Sequence, residues 1–376
     1  MSKYFPEIKK NFGFGCMRLP EKDGEIDIEQ MSAMVDYFLE HGFNYFDTAH
    51  GYHSGKSELA LRTCLTSRHP RESYLITNKL THDMFEMSPD GVRKFFAKQL
   101  VDCGVDYFDF YLLHSQNNKF YEDFKACKAY ETVFELKEEG KIRHVGVSFH
   151  DTPEVLDRIL TEYPRLEFVQ IQFNYLDYDD PAIQSRGCYE VCERHGKPVV
   201  VMEPVKGGQL ARLPEDAAQP LQELCGDAGY ASYAIRFAAS FPLNYLVLSG
   251  MSNMDQMKDN LSFMTDFVPL SEAEMEAVAK VREILHGKNM IACTACRYCT
   301  DGYPMDIPIP DIFADMNAKS VHDDWNSNWY FTVHTLEHGK PSDCIECGQC
   351  EGVCPQHLPI IQNLKKAAET FENAES

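Results

Sequence analysis

The chain lacks the features that would carry it into a membrane or out of the cell. No apolar run approaches the length of a membrane span. The opening residues MSKYFPEIKK hold no apolar core of a secretory signal, so the expected location is the cytoplasm. Positive charge is scarce: 36 Lys and Arg stand against 58 Asp and Glu, a net charge of −22. Such a surface repels nucleic-acid phosphate and anionic lipid, and neither is an expected partner. There are no repeats and no low-complexity linker, and no G-x-G-x-x-G follows the first apolar run. That last absence argues against a doubly wound dinucleotide-binding sheet. Hydrophobic content of 44% and charged content of 25% are ordinary for a protein with a sizeable core. A length of 376 residues leaves room for one large domain and a small one.

What the chain has in abundance is cysteine, fourteen in all, and seven of them are patterned. They read Cys293-x-x-Cys296-x-x-Cys299, then Cys344-x-x-Cys347-x-x-Cys350-x-x-x-Cys354-Pro355. This is the bacterial ferredoxin spacing, in which the fourth cysteine of each run ligates the cluster of the other run. A zinc ribbon uses C-x-x-C pairs but has no need of the third cysteine or of the Cys-Pro ending. A disulfide framework fits poorly in a chain without a secretory signal. Iron–sulfur clusters are the expected cofactor.

The first run breaks the pattern, because the position before Pro304 holds Tyr303 where a fourth cysteine belongs. By cross-ligation, Cys293, Cys296, Cys299 and Cys354 make one complete 4Fe-4S site. Cys344, Cys347 and Cys350 make a second site with three thiolates. It is open to a three-iron cluster, a four-iron cluster with another fourth ligand, or no cluster. Tyr303 is a candidate ligand, but a phenolate is a hard donor for a soft cluster, and the residue is expected to pack there instead. The two sites should differ in oxidative lability. The other cysteines, Cys16, Cys64, Cys103, Cys127, Cys188, Cys192 and Cys225, are scattered and are expected to be reduced and mostly buried.

From about residue 10 to 285 short apolar runs alternate with amphipathic stretches. Runs at Tyr45–Ala49, Tyr74–Lys79, Tyr107–His114, His144–Phe149, Phe168–Asn174, Pro198–Pro204 and Tyr245–Gly250 suit parallel strands buried on both faces. Phe12–Leu19 supplies an eighth. Asp27 and Gln30 form a capping box before a helix that buries Ile28, Met31, Val35, Phe38 and Leu39. Ser88-Pro89 starts another, with Val92, Phe95, Phe96 and Leu100 inward. Ser271 and Glu274 cap a third, running to His286. Eight strand–helix units imply an α/β fold, a (β/α)8 TIM barrel over residues 1–286. A small ferredoxin-like iron–sulfur domain follows over 287–376. Its residues 305–343, rich in aromatics (Phe313, Trp325, Trp329, Tyr330, Phe331), form a partly helical insertion that packs on the barrel or covers a cluster. The tail after Leu364 reads as a short polar helix that frays.

In such a barrel the chemistry lies at the C-terminal strand ends. Asp47 ends the second strand, Tyr52 lies in the loop beyond it, Lys79 ends the third and His114 the fourth. A lysine ammonium beside a tyrosine favours its phenolate and lowers its pKa from ~10 toward working pH. An aspartate holds the lysine charged, and a histidine can bond a substrate carbonyl oxygen. The set suits protonation of an alkoxide as it forms from an aldehyde or ketone.

At these residues the sequence resembles the aldo/keto reductases. The matches are Phe46-Asp47-Thr48-Ala49-x-x-Tyr52 with Ser57-Glu58, Thr77-Asn78-Lys79, Leu112-Leu113-His114, Gly146-Val147-Ser148 and Gln170-x-Gln172-Phe173-Asn174. Glu203-Pro204 with Gly207 to Leu210, and Gly250 through Asn260, complete them. The C-terminal part resembles the branch with a ferredoxin-type extension. The resemblance implies hydride transfer from NAD(P)H to a carbonyl, with Tyr52 as acid supported by Asp47, Lys79 and His114. It places Ser148 and Gln170 at the nicotinamide carboxamide, and Gly250, Gln256, Asp259 and Asn260 along the adenosine end. Three departures stand out. Phe149 replaces an asparagine. Met202 replaces an aromatic that stacks on the nicotinamide. Gln256 and Gly250 replace the arginine and lysine that hold the 2′-phosphate of NADP, leaving Lys258 as the nearby cation. The expectation is weak discrimination for NADPH, a preference for NADH, or a weakened nicotinamide site altogether.

Two functions follow as expectations. One is an oxidoreductase reducing a small-molecule carbonyl substrate by NAD(P)H hydride transfer, coupled to or regulated by the clusters. The other is an electron-transfer enzyme in which the clusters pass electrons between a ferredoxin-like protein partner and a substrate or cofactor bound in the barrel.

Overall fold

The structure is a computed structural model, and it describes residues 4–180, 183–225, 229–288, 290–300, 302–322 and 327–372. The chain divides into two compact units. One comprises Met1–Asp179, Gln184–Pro204 and Ala231–Leu270, and the other Asp180–Ile183, Val205–Tyr230 and Ser271–Ser376. This partition does not coincide with a boundary at 286. Residues 205–230 and 271–286 group with the cysteines.

The first unit is a closed barrel. Its chain order is β1 (Phe12–Gly15), a hairpin of β2 (Glu21–Lys22) and β3 (Glu25–Ile26), then β4 (Tyr45–Asp47), β5 (Leu75–Leu80), β6 (Phe108–Gln116), β7 (Ile142–Phe149), β8 (Phe168–Gln172), β9 (Val199–Met202) and β10 (Asn244–Gly250). Around the barrel the order is β1-β10-β9-β8-β7-β6-β5-β4, every pair parallel. The eight barrel strands fall on the eight apolar runs. The first is shorter than the sequence suggested, stopping at Gly15. The hairpin was not anticipated, although Asp23-Gly24, both left-handed at φ 53° and 78°, is a strong two-residue turn signal.

The barrel floor is apolar. Phe5 and Ile8 from the N-terminal segment join Tyr45, Leu75, Phe110, Phe168, Val200 and Leu246 in one buried cluster. Close packing leaves no room for a side chain at Gly146, where a Cβ would lie 2.6 Å from the Phe168 ring. With its starting ends sealed by hydrocarbon, the barrel is left with its polar strand ends at the other mouth.

Of the two barrel helix caps read from the sequence, one forms as expected and one only in part. Ser88 accepts from Gly91 N with Pro89 at the first turn, burying Val92, Phe95 and Phe96, while Leu100 is half-buried. At Asp27 the box is incomplete. The Asp27 carboxylate accepts from Gln30 N, but Gln30 Nε2 donates to the same carboxylate and Gln30 Oε1 accepts from Met254 N. Met31, Met34, Val35 and Phe38 form the buried face, whereas Ile28 is exposed and Leu39 half-buried.

The second unit is helical. Its helices include Glu215–Cys225, Glu272–Gly287, Ile309–His322, Ser327–Thr335 and Ile360–Phe371. The Ser271–Glu274 capping box forms reciprocally, as expected. Residues between the cysteine runs are helical in part, and Ile309, Ile312, Phe313 and Phe331 share a core with Ile360, Leu364, Ala367 and Phe371. The expected fraying of the tail is corrected. Phe371 stacks on Phe331 with ring centroids 4.5 Å apart, so the last helix is held by its apolar face through Phe371. Trp325, and the side chains of Trp329 and Cys225, lie outside the described residues. No described helix is long and apolar enough to cross a membrane.

Candidate active site and cysteine sites

Four polar strand-end residues converge at the barrel mouth. Lys79 Nζ spends its three protons on Asp47 Oδ1 at 2.5 Å, the Thr48 carbonyl at 2.8 Å and the Tyr52 hydroxyl at 3.1 Å. The Tyr52 and His114 rings meet edge to face, centroids 6.2 Å apart. Tyr52 sits in a tight turn where His53, Ser54 and Gly55 are all left-handed, at φ 48°, 54° and 85°. That turn is strained and needs fastening. His53 Nε2 accepts from Leu19 N and its Nδ1 pairs with Glu21, while Ser57 Oγ bonds the Cys16 carbonyl and Thr48.

Lys79 itself is fixed from below by a network that sequence reasoning did not assemble. Gln99 Nε2 bonds the Lys79 carbonyl, Asn78 Oδ1 and Glu58 Oε1. Glu58 is wholly buried yet satisfied, accepting also from Asn78 Nδ2 at 2.7 Å and contacting His50 Nδ1 at 2.5 Å. Asn78 and Glu58 were visible as motif letters. Gln99 carried no signal, since its role depends on a helix folding against β5.

Burial governs the electrostatics. It pushes the Asp47 carboxyl up and the Lys79 ammonium down, and each is pulled back by the other. It drives His114 well below 6.5, helped by repulsion from Lys79 and His150. The expected lowering of Tyr52 is corrected. Burial raises its phenol well above the usual tyrosine range, with Asp47, Cys16 and Glu203 adding to the effect. Tyr52 is a neutral phenol here. Its oxygen accepts from Lys79, so its own proton is free to point elsewhere.

The expected nucleotide residues are arranged unevenly. Ser148 and Gln170 are adjacent in register on β7 and β8, and both are buried. Ser148 Oγ and Gln170 Oε1 have no hydrogen-bond partner. Buried orphans of opposite capacity suit a carboxamide, which offers both a donor and an acceptor. Asn260 is buried and bonds Ser249 Oγ, whereas Asp259 and Gln256 are exposed on the helix capped by Asn253. Gln256 Oε1 already accepts from Ser252 N. Lys258 is not the sole cation near Gly250: the Arg18 side chain lies 3.1 Å from where a Gly250 Cβ would sit.

In the second unit Cys293, Cys296, Cys299 and Cys354 line one cavity with Thr294, Phe313 and Gln356. Cross-pairing of the two runs is thus built into the fold. Burial raises the Cys299 thiol, and Cys296, Cys293 and Cys354 raise it further by like-charge repulsion. Four crowded thiols of this kind call for a cationic core. The sole described group of three or more potential ligands within 4.8 Å of one another is His50, Glu58 and Asp102. All thirteen described cysteines are free of disulfides. The site fits a cluster. Tyr303 is buried, as expected, and in addition its hydroxyl donates to Cys344 Sγ at 3.7 Å.

Comparison with known proteins agrees with this layout. Residues 11–283 match the model of the aldo/keto reductase family. The chain belongs to the aldo/keto reductase family. It is an oxidoreductase of that type, and a 4Fe-4S dicluster domain follows over residues 292–358. Among reductase relatives, an uncharacterized oxidoreductase, YqkF, from Bacillus subtilis is 24% identical over 71% of this chain and 90% of its own. The NADH-specific methylglyoxal reductase of Escherichia coli is 27% identical over 51% of this chain and 61% of its own, less than two thirds of that enzyme. The holo form of an aldo-keto reductase from Bacillus halodurans superposes with a TM-score of 0.57 at 27% identity, covering 72% of this chain and 91% of that one. A Klebsiella pneumoniae aldo-keto reductase in complex with NADPH gives 0.59 at 19% identity, over 72% and 90%. At that identity the likeness is one of fold.

Proposed function

We propose that the protein reduces a small aldehyde or ketone, with Tyr52 as the acid. The observation that carries this reading is the direction of one hydrogen bond. Because Lys79 Nζ donates to the Tyr52 oxygen, the tyrosine proton is left to be given to a substrate carbonyl oxygen. Asp47 and Thr48 keep Lys79 aimed. His114 is neutral and carries one ring proton. Thr81 Oγ1 lies 2.9 Å from Nδ1; in the tautomer where the threonine donates there, the ring proton is on Nε2 and makes a second donor to the same oxygen. The Tyr52 phenolate left after transfer is stabilised by the ammonium beside it. Bound NAD(P)H supplies the hydride. Ser148 and Gln170 would hold its carboxamide through their orphaned atoms.

The test is Tyr52→Phe, assayed by NADH and NADPH oxidation with methylglyoxal as probe, the substrate class named for the Escherichia coli relative. Carbonyl reduction should fall by roughly 10²–10⁴-fold while the visible absorbance of the clusters is unchanged. Retained activity removes Tyr52 as the acid.

The cysteine sites support a role in single-electron exchange beside this chemistry. Cys293, Cys296, Cys299 and Cys354 would hold one cluster. An anaerobic titration with NADH and then NADPH, followed by iron–sulfur absorbance and EPR, separates the readings. Bleaching favours electron transfer between nucleotide and clusters. Nucleotide binding without bleaching favours a carbonyl reductase with clusters in a structural or sensing role.

A further inference from the structure

We propose that Cys344, Cys347 and Cys350 hold a three-iron cluster, with the Tyr303 hydroxyl closing the corner that a fourth thiolate would occupy. The fourth cysteine of the second run is committed elsewhere, since Cys354 lines the cavity of Cys293, Cys296 and Cys299. The reciprocal ligand is due just before Pro304, and Tyr303 stands there, buried in the core that also contains Cys350. Its hydroxyl reaches Cys344 Sγ. A tyrosine whose O–H donates to Cys344 Sγ is a hydrogen-bond partner of a ligating sulfur. It is not the phenolate that would bind iron, and a phenolate would in any case be a hard ligand on a soft cluster. Three thiolates and a donor suit a cluster with three irons. The sequence gap, the buried position and the hydrogen bond converge on this without reference to the barrel's activity.

The experiment is iron and sulfide analysis with EPR and Mössbauer spectroscopy on protein reconstituted and kept anaerobic. Wild type should bind roughly seven irons, with the EPR signal of an oxidised three-iron cluster beside one four-iron cluster. Tyr303→Cys should abolish the three-iron signal and raise iron to roughly eight per chain. Tyr303→Phe should keep the three-iron signal, because no iron bond is lost. Two intact four-iron clusters in wild type, an empty second site, or loss of the cluster in Tyr303→Phe would each overturn the assignment. If Tyr303→Cys does not fold, the wild-type Mössbauer spectrum and Tyr303→Phe still decide.

At the complete site a separate pair points to tuning of the cluster. Lys206 is wholly buried and donates to Gln356 Oε1. Gln356 lines the cavity of the four cysteines, and its buried Nε2 has no partner. We infer that Lys206 orients the Gln356 amide so that its N–H donates to cluster sulfur, which favours the reduced, more negative state. Hydrogen bonds to sulfur are among the levers that set cluster potentials. Gln356→Glu can keep the Lys206 bond while removing the N–H. In EPR-monitored redox titration it should shift the first cluster's equilibrium about tenfold toward the oxidised form, ~59 mV for one electron, and leave the second cluster unmoved. Lys206→Met should shift it the same way. An unchanged midpoint in Gln356→Glu with an intact cluster refutes the role, and equal shifts at both clusters would mean general disturbance instead.

Discussion

The barrel mouth and the cysteine sites solve opposite problems. At the mouth every strong charge has a partner within the protein. Lys79 is spent on three acceptors, and Glu58 beneath it takes two amides and a histidine. The Lys79 ammonium is held in place before anything binds. The cysteine cavity is the reverse, four thiols that raise one another around a space lined also by Arg297. A preorganised site should therefore survive loss of its ligand, and the cysteine sites should not.

The sharpest way to test that contrast is to remove iron with a chelator and an oxidant. Hydrogen exchange should rise strongly in Ile309–His322 and Ile360–Phe371 and hardly at all in β4 to β6. Equal loss in both would erase the distinction. Next in size is Glu58→Leu, which strands the amides of Asn78 and Gln99 and should cost about 3–5 kcal/mol in thermal or denaturant unfolding. If stability barely changes, the network under Lys79 is ornamental. A third effect concerns pH. Since burial holds His114 neutral well below 6.5, carbonyl reduction should stay level from neutrality downward and fall only once the pH passes through that lowered value. The raised Tyr52 keeps its proton on the alkaline side, so activity should persist past pH 10 as far as the protein itself does. A bell centred near 7 would contradict both. Smaller still is Thr81→Val, which frees the tautomer of His114. It should lower kcat by about tenfold, ~1.4 kcal/mol, with KM little changed. Last, preference between NADPH and NADH should stay under roughly a hundredfold, and Gln256→Arg should raise the NADPH side by about tenfold. A larger wild-type preference would mean that Arg18 already fills the phosphate role.

Residue patterns made some of this visible and hid the rest for definable reasons. The barrel strands were legible because burial on both faces leaves near-continuous apolar runs such as Val199–Met202. Asp47, Tyr52, Lys79 and His114 were legible because strand ends can be counted. The acidity of Tyr52 was misjudged because a charge partner can be inferred from order along the chain, while the depth of burial cannot. Thr81, Gln99 and Arg18 left no mark, since each matters only through a neighbour brought close by folding. Lys206 and Gln356 are the extreme case, 150 positions apart and joined by one bond.

That last bond bears on how the protein could be taken apart. Residues 205–230 fall inside the stretch that matches the reductase family, yet they group with the cysteines. Gly207 lets the backbone of this segment press against Thr294, where a Cβ would come within 2.5 Å of the carbonyl oxygen, and Gln209 bonds the Cys293 carbonyl. A gene truncated at residue 286 would therefore leave behind a loop shaped for cysteines that are no longer there. The loop after β9 and the first cysteine run are therefore one packing unit, whatever stretch of sequence each belongs to.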